Sequence, residues 1–286
     1  LSIKTKKMIK TIDITSGETA GIYQYLTSAV TPRPIAFVST IDSEGNKNLS
    51  PFSFFNAFSV NPPILVFSPV RRVRNNTSKH TLDNLHQIKE CVISLVTEEI
   101  AQQVSLSSCD FDAETNEFEK AGFTEVKSDL VTPSRVKESP VNFECKVNDI
   151  ISLGEEGGAG SLVICEVLKM HINEDVLDNN NAIDPFKLNI VSRLGSNWYA
   201  KTTKDSLYEI AKPISRMGMG IDNLPQEIRN SEILTGNELA ILASAENIPE
   251  KKEFTLRDNK NTTEKHILAK EFLSQGKAED AWQILL

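Results

Sequence analysis

The sequence has few cysteines, and no two of them are close together along the chain. Its 286 residues contain four scattered cysteines, at positions 91, 109, 145 and 165, and no CxxC motif. Because disulfide frameworks and zinc sites need closely spaced cysteines, we expect neither, and we predict no metal centre. Three of the four lie in apolar or strand-like segments, which indicates buried thiols in a reducing cytosol.

Long apolar runs and a basic excess are also missing. No stretch of about 18 apolar residues exists, so we expect no transmembrane helix. No apolar segment follows the lysines at positions 4, 6, 7 and 10, so we expect no secretory signal and predict a cytoplasmic protein. The net charge of −8 argues against a general binder of nucleic acid or anionic membranes. The densest local basic cluster is Arg71, Arg72 and Arg74 with Lys79 and His80.

The stretch from Thr31 to Asn56 is the most informative part of the chain. Residues 35–41 and 47–55 are predicted to be paired strands, joined by a turn rich in Asp, Ser, Gly and Asn. The second strand carries hydroxyl and amide groups where an ordinary strand carries only packing groups. This pattern indicates a sheet that holds a polar, phosphorylated ligand.

The pattern after residue 60 predicts a mainly β chain with inserted helices, an α+β fold. The predicted strands are 64–67, 91–96, 141–153 and 161–172, and the predicted helices are 77–90 and 98–106. The glycine-rich segment 154–160 is interpreted as a hairpin turn, because a dinucleotide-binding fingerprint would have a helix after it. Five or six mostly antiparallel strands with short helices favour a closed barrel.

The composition changes after Tyr199. We predict a domain over residues 11–203 and a C-terminal helical extension over 204–286, packed on the barrel or on a dimer partner. Within the extension, residues 205–245 are predicted to form short helices and loops, including the segment Ser215–Gly220. Residues 263–286 are predicted to form a solvent-facing helix pair.

A phosphate group is bound by cations, hydroxyls and the start of a helix. Lys79 and Thr81 supply a cation and a hydroxyl at the predicted start of a helix, with the amide of Asn84 one turn later. Ser50 and Ser53 supply hydroxyls on a strand. Each feature alone is weak, since lysine and threonine at a helix start are usually solvated and strand serines are often neutral. Their occurrence in a fixed order points to a phosphate site.

The same order of motifs resembles the flavin reductase-like family of FMN-binding split-barrel proteins. The resemblance covers roughly residues 20–200. It implies a split β-barrel, a homodimer and non-covalently held FMN near the dimer interface. The segments that carry it are Arg33-Pro34-Ile35-Ala36, Asn48 to Asn56, Asn61-Pro62-Pro63, and Lys79-His80-Thr81 with Asn84.

The resemblance assigns the second strand to the flavin. It implies that Ser50, Pro51 and Ser53 approach the flavin ring or the ribityl-phosphate. Phe54 and Asn56 would shape the adjacent wall.

The resemblance assigns the predicted helix start to the phosphate. Lys79 and Thr81 would contact the phosphate, and Asn84 would brace that loop. Ser68 would lie at the end of the third strand. Arg33, held extended between two prolines, would either reach the phosphate or form an intersubunit pair.

Three positions leave their roles open. His80 stands where the family usually has Asp, which leaves the hydrogen bonding of the phosphate loop undefined. His171 either faces the nicotinamide or substrate, as a candidate catalytic residue, or is a hydrogen-bonded structural histidine. Arg193 either binds an anionic substrate or pairs within the dimer.

These features predict a flavin-dependent oxidoreductase of the NAD(P)H:FMN reductase type. Hydride would pass from NADH or NADPH to flavin N5, and the electrons would go to a partner enzyme or a substrate. The alternative is an FMN-binding electron carrier without its own NAD(P)H reductase activity. A flavin-free interaction protein on the same barrel is a third possibility.

Overall fold

The computed structural model describes residues 9–15, 19–210 and 217–286. The lysines at positions 4, 6 and 7, and the segment 211–216 with Ser215 and Arg216, lie outside the described residues. The chain divides into two compact units, Leu1–Leu207 and Tyr208–Leu286, which are described separately below. The sequence predicted the boundary between residues 203 and 204.

The first unit contains eleven strands and four α-helices among the described residues. The strands are β1 (Ala36–Ile41), β2 (Lys47–Phe52), β3 (Phe55–Val60), β4 (Pro63–Phe67), β5 (Glu90–Ser94), β6 (Glu125–Val126), β7 (Arg135–Val136), β8 (Val141–Ser152), β9 (Ser161–Ile172), β10 (Val191–Arg193) and β11 (Tyr199–Lys201). The helices are α1 (Thr19–Ala29), α2 (His80–Gln87), α3 (Ala101–Leu106) and α4 (Glu117–Ala121).

Seven strands form one antiparallel sheet in the order β2-β1-β5-β8-β9-β4-β3. The two edge strands, β2 and β3, are joined by only Ser53 and Phe54. If the sheet were flat, its edges would be about 29 Å apart, since strands lie about 4.8 Å from one another. The three chain steps from Phe52 to Phe55 span at most about 11 Å. The sheet must therefore curl until its edges meet, which gives the barrel predicted from the sequence.

The inner face of the curled sheet forms the main core. Its buried residues include Val38 and Phe52 on one side and Phe67 and Val163 on the other. Helix α2 contributes Leu82 and Leu85, which lie on the apolar face predicted from their spacing. This packing holds the start of α2 beside β1 and β2, and so it fixes where the candidate phosphate residues lie.

Several predicted boundaries were wrong in detail. The strand predicted over 47–55 is two strands, because the chain bends at Ser53-Phe54 and enters β3. The helix predicted over 77–90 covers only His80–Gln87, because Lys79 and Ile88 both have extended backbone angles. The hairpin turn predicted over 154–160 is confirmed between β8 and β9.

The second unit is helical and has a core of its own. Its α-helices are α5 (Gln226–Arg229), α6 (Gly236–Ala243), α7 (Thr262–Ser274) and α8 (Ala278–Leu285). Trp282, Ile284 and Leu273 are buried against residues such as Leu242. The prediction of a solvent-facing pair over 263–286 was wrong in this respect, because α7 and α8 bury one face each within this unit.

Candidate functional site

A narrow polar pocket lies where β2 meets the start of α2. Residues distant in sequence form its walls, and most of them carry hydroxyl, amide or charged groups. The lining residues are Asn48, Ser50, Arg72, Lys79, His80, Thr81, Ser107, Ser108, Cys109, Phe111 and Glu117. The pocket therefore brings together three of the residues predicted to hold the flavin: Ser50, Lys79 and Thr81.

Two cations make this pocket suitable for an anion. Lys79 is half-buried, and its pKa is lowered first by burial and then by the neighbouring charge of Arg72. Among the described residues, no carboxylate forms an ion pair with Lys79. Arg72 is held by Asp110, 3.0 Å from Nε, and by the carbonyl oxygen of Ser78. A bound anion would offset the repulsion between the two cations.

The start of α2 adds donors on the same side. His80 and Thr81 open the helix, so their backbone N–H groups have no intrahelical acceptor. The helix dipole favours negative charge at this end. Backbone amides and side-chain cations thus converge on one small volume, as binding of a phosphate group requires.

A buried relay fixes the orientation of Thr81. Its hydroxyl donates to Oδ1 of Asn48, and Nδ2 of Asn48 donates to Glu117 at 2.8 Å. The other carboxylate oxygen of Glu117 accepts from the backbone N–H of Leu49 at 3.0 Å. Burial raises the pKa of Glu117. Because the Thr81 hydroxyl proton is already donated to Asn48, its backbone N–H is the group left to contact an anion.

Asn84, which the resemblance assigns to bracing the phosphate loop, is hydrogen-bonded to the sheet. Its Nδ2 donates to the hydroxyl of Thr40 at 3.1 Å, and both residues are buried. This bond ties α2 to β1. Asn84 thus supports the pocket without lining it.

A second group of predicted residues surrounds the bend between β2 and β3. The hydroxyl of Ser53 accepts from Nε of Arg33 at 3.4 Å, and the Phe54 ring lies 5.9 Å from the guanidinium carbon of Arg33. The backbone N–H of Ser68 donates to the carbonyl of Phe54 at 2.8 Å. The bend therefore brings Arg33, Ser53, Phe54 and Ser68 together.

Pro51 and Asn56 lie on the strands that flank this bend. Pro51 is paired with Phe37 across β1 and β2. Asn56 is exposed, and its side-chain oxygen accepts from the N–H of Ala57 at 2.8 Å. The two residues extend the second group without lining the polar pocket.

Comparison with known proteins identifies the family of this chain. A family model described as "Flavin reductase like domain" matches residues 28–187, which is more than half of the chain. This chain belongs to that family. An uncharacterized protein of Aquifex aeolicus is 36% identical over 187 residues, covering 65% of this chain and 92% of that protein.

Solved structures give the same assignment. Nitrilotriacetate monooxygenase component B from Bacillus cereus matches with a TM-score of 0.65 and 28% identity, covering 72% of this chain and 98% of that one. A split barrel domain from Shewanella frigidimarina matches with a TM-score of 0.59 and 24% identity, covering 69% and 95%. The fold is thus the split β-barrel, as the resemblance implied, and the chain is a flavin reductase-like protein.

Arg33 is engaged within its own chain. Its guanidinium donates to the carbonyl oxygens of Thr27, Val30 (2.7 Å) and Leu194 (3.1 Å), and its backbone pairs with Arg193. Burial lowers its pKa. These contacts favour a structural role over direct contact with a phosphate, because most of its donors already have acceptors.

His171 lies away from the polar pocket and does not line it. Its Nε2 is 2.7 Å from Oε1 of Glu144, whose side chain is fully buried. Glu144 also accepts from the backbone N–H groups of Asp129 (2.8 Å) and Leu130 (2.6 Å). This favours the hydrogen-bonded structural histidine that the sequence left open.

The carboxylate of Asp129 completes this cluster. Ligand atoms of Asp129, Glu144 and His171 lie within 4.8 Å of one another. However, Asp129 pairs with Lys169 at 2.7 Å, and Arg135 lies 4.0 Å from Glu144. The charges of the cluster are thus balanced by the protein itself.

Arg193 and the aromatic residues after it form part of a small hairpin. The Arg193 guanidinium lies 4.6 Å from the centre of the Tyr199 ring, and its Nη2 donates to the carbonyl of Ser196 at 2.8 Å. Trp198, at the tip, is exposed.

The sequence did not identify six residues of the pocket as site residues: Arg72, Ser107, Ser108, Cys109, Phe111 and Glu117. Arg72 stood out only as one member of a basic cluster, and Ser107 and Ser108 lie in a polar loop with no motif. They reach the pocket because the loops before α2 and after α3 meet there. For Arg72, the one signal in the sequence was its position shortly before the lysine at the start of the helix.

None of the helices in the described ranges combines the length and the apolar character needed to cross a membrane.

Proposed function

We propose that this protein is a flavin-dependent oxidoreductase that binds FMN non-covalently and accepts hydride from NADH or NADPH. The observation that carries the proposal is the polar pocket, where Lys79, Arg72 and the start of α2 converge beside Ser50. Two cations, several hydroxyls and helix-start amides form the set of donors that a phosphate monoester needs.

Two groups of residues would hold the two ends of FMN. Lys79 and Arg72 would neutralise the phosphate, and the backbone N–H of Thr81 would donate to it. Ser53 and Phe54, at the bend, would lie along the ring. The distribution supports an elongated ligand with an anionic end and a planar end.

The flavin, when bound, supplies the atom that accepts and returns hydride. The protein's part is then to bind, orient and tune the cofactor. The relay from Glu117 through Asn48 holds Thr81 in one orientation, and Asn84 holds α2 against the sheet. No side chain needs to act as an acid or a base in this proposal.

The electron acceptor would be a partner enzyme or a substrate. The Bacillus cereus protein that matches at 28% identity is one component of a monooxygenase, which supports transfer to a second protein. The alternative, an electron carrier without reductase activity, shares the pocket and differs only in how the flavin is reduced.

The test is a spectrum followed by two assays. Purified protein, alone or reconstituted with FMN, is expected to show flavin absorbance and to oxidise NADH or NADPH with added flavin. A yellow protein that oxidises neither nucleotide would indicate the electron carrier. A colourless protein that cannot be reconstituted with FMN would rule out both.

We also propose a homodimer, which exposed apolar residues on the edge strand β3 support. Phe58 is 68% exposed and Val60 is 94% exposed, which is unusual for apolar side chains on a strand. A second copy that covers this strand would remove both side chains from water.

The proposed dimer is tested by measuring the molar mass of the protein in solution. Light scattering is expected to give about twice the 31.8 kDa of one chain. Val60→Lys should shift the mass towards the monomer, because a lysine charge in an apolar interface is costly. Ile248→Lys, at an exposed apolar site of the helical unit, is the matched control. A monomeric wild type, or equal behaviour of the two variants, would contradict this interface.

A cytoplasmic location is part of the proposal. Cys91, Cys145 and Cys165 are free and buried, and the sulfur atoms of Cys91 and Cys165 are 3.8 Å apart without a bond. Free thiols this close are typical of a reducing compartment.

A further inference from the structure

A buried carboxylate lies in the polar pocket that is proposed to bind a phosphate. Glu117 is 4% exposed, and it lines the pocket together with Lys79 and Arg72. Among the ion pairs of the described residues, none joins Glu117 to either cation. A carboxylate that no cation neutralises repels a phosphate group in the same small volume. The pocket therefore contains a group that opposes an anion as well as groups that favour one.

The hydrogen bonds of Glu117 fix the direction of every bond in the buried relay. An ionised carboxylate only accepts hydrogen bonds, and Glu117 accepts from Nδ2 of Asn48 at 2.8 Å and from the backbone N–H of Leu49 at 3.0 Å. Asn48 must therefore turn its oxygen, Oδ1, towards Thr81. That oxygen can only accept, so the Thr81 hydroxyl has to donate to it. The charge of Glu117 thus decides where the Thr81 proton points.

Burial makes this arrangement rigid. Asn48 is 5% exposed and Thr81 is 1% exposed, so water does not offer them other partners. A buried polar group that loses its partner is costly, so a change at one end of the relay has to be followed by a change at the other end. Burial also raises the pKa of Glu117, because water no longer solvates its charge. A charge of this kind is weakly screened, so it acts on a ligand in the pocket.

A neutral amide in place of the Glu117 carboxylate would reverse the relay. In a Glu117→Gln variant, the new Oε1 can still accept from the N–H of Leu49, and the new Nε2 faces Asn48 as a donor. Asn48 satisfies that donor by rotating its amide by half a turn, so that Nδ2 donates to the Thr81 hydroxyl. The proton of the hydroxyl is then free to point into the pocket. Each buried group keeps a partner in both arrangements.

We propose that Glu117 is a positioning residue that limits the affinity of the pocket for the flavin phosphate, by its charge and by keeping the Thr81 hydroxyl turned towards Asn48. The inference rests on the proposed function, because it takes the polar pocket as the phosphate site. In the native protein the phosphate contacts the backbone N–H of Thr81 and not its hydroxyl. Glu117 thus acts on the ligand through two other side chains and through its own charge.

The decisive variant is Glu117→Gln, measured with FMN and with riboflavin, which is the same flavin without the phosphate. Apoprotein is titrated with each flavin, and the quenching of flavin fluorescence gives the Kd. The variant is expected to bind FMN about 10-fold more tightly or more, a gain of about 1.4 kcal/mol, because a hydrogen bond to a charged group is gained and a like charge is lost. The Kd for riboflavin should stay within about 2-fold of the wild-type value. A residue that only holds its loop in place would weaken FMN binding when replaced.

The matched control is Glu119→Gln. Glu119 lies in the same helix, α4, but it is exposed and does not line the pocket. The substitution removes the same charge two residues away, so the Kd for each flavin should stay within about 2-fold of the wild-type value, since exposed charges are well screened. Equal tightening of FMN binding in both variants would show a general effect of net charge and would contradict the role of Glu117.

A second variant, Thr81→Val, tests the direction of the Thr81 hydroxyl. It keeps the shape of the side chain and removes the hydroxyl. In the otherwise native protein it should change the Kd for FMN by no more than about 3-fold, because the hydroxyl does not contact the phosphate. In the Glu117→Gln background the same substitution should weaken FMN binding by about 10-fold, because there the hydroxyl donates to the phosphate.

The outcomes separate this inference from the proposed function. If wild type binds neither flavin, the proposed function fails, and this inference fails with it. If FMN binds and Glu117→Gln leaves its Kd unchanged or raises it, or tightens riboflavin equally, only the role of Glu117 is overturned. If circular dichroism shows that Glu117→Gln does not fold, Thr81→Val decides: a loss of 10-fold or more in FMN affinity would overturn the role, and a change within about 3-fold would support it.

Discussion

Replacing both Lys79 and Arg72 by alanine is expected to raise the Kd for FMN by about 10²–10⁴-fold. Hydrogen bonds between charged groups contribute about 1.5–3 kcal/mol each, so the loss of two of them removes about 3–6 kcal/mol. Both side chains line the polar pocket. The effect should be larger than that of removing the Thr81 hydroxyl, because that hydroxyl already donates to Asn48.

A control variant must lose the same charge elsewhere. The double variant Lys89→Ala with Lys146→Ala removes two exposed cations, one directly before β5 and one in β8. It should leave the Kd for FMN within about 2-fold of the wild-type value, since exposed charges are well screened. The Kd is measured by fluorescence titration, with circular dichroism to verify the fold. An unchanged Kd in the Lys79/Arg72 variant would place the phosphate elsewhere.

Glu144→Ala is expected to lower the free energy of unfolding by about 3–5 kcal/mol, the usual loss when one partner of a buried ionic network is removed. The carboxylate is fully buried and accepts from two backbone N–H groups and pairs with His171. Without it, the N–H groups of Asp129 and Leu130 lose their acceptor. Urea unfolding at neutral pH measures the loss, and flavin binding should survive because the cluster does not line the pocket.

The contribution of Glu144 also depends on pH. Its pKa is lowered in the folded state, because the hydrogen bonds from Asp129, Leu130 and His171 outweigh the opposing effect of burial. The unfolded chain therefore takes up the proton at a higher pH than the folded chain. This stabilisation is fully present above the ordinary glutamate pKa of about 4.3 and is lost as the pH falls through the lower folded value.

Glu144→Gln isolates this effect, since it keeps the shape and loses the charge. The difference in unfolding free energy between wild type and this variant should shrink as the pH falls below about pH 4. The charged groups Lys169, Arg135 and Asp129 near the site are the same in both proteins. A difference that stays constant down to pH 3 would contradict the lowered pKa.

The sequence predicted the hairpin of β1 and β2, strand β9 and the inner face of α2, because each depends on a local period. It failed at the bend, where Phe52, Phe54 and Phe55 form an apolar run that resembles one continuous strand. It also left His171 open, because its partner Glu144 is 27 residues away and is brought close only by the pairing of β8 with β9. Local patterns cannot specify contacts that arise when separate strands meet.

The two-residue connection between β2 and β3 ties the binding residues to the geometry of the whole barrel. Ser53 and Phe54 connect the two edge strands of the sheet covalently, so their positions depend on how all seven strands are staggered. An inserted residue here would lengthen this connection and at the same time displace the residues proposed to contact the flavin. We therefore expect the spacing between Phe52 and Phe55 to be as constrained in relatives as the identity of the residues between them.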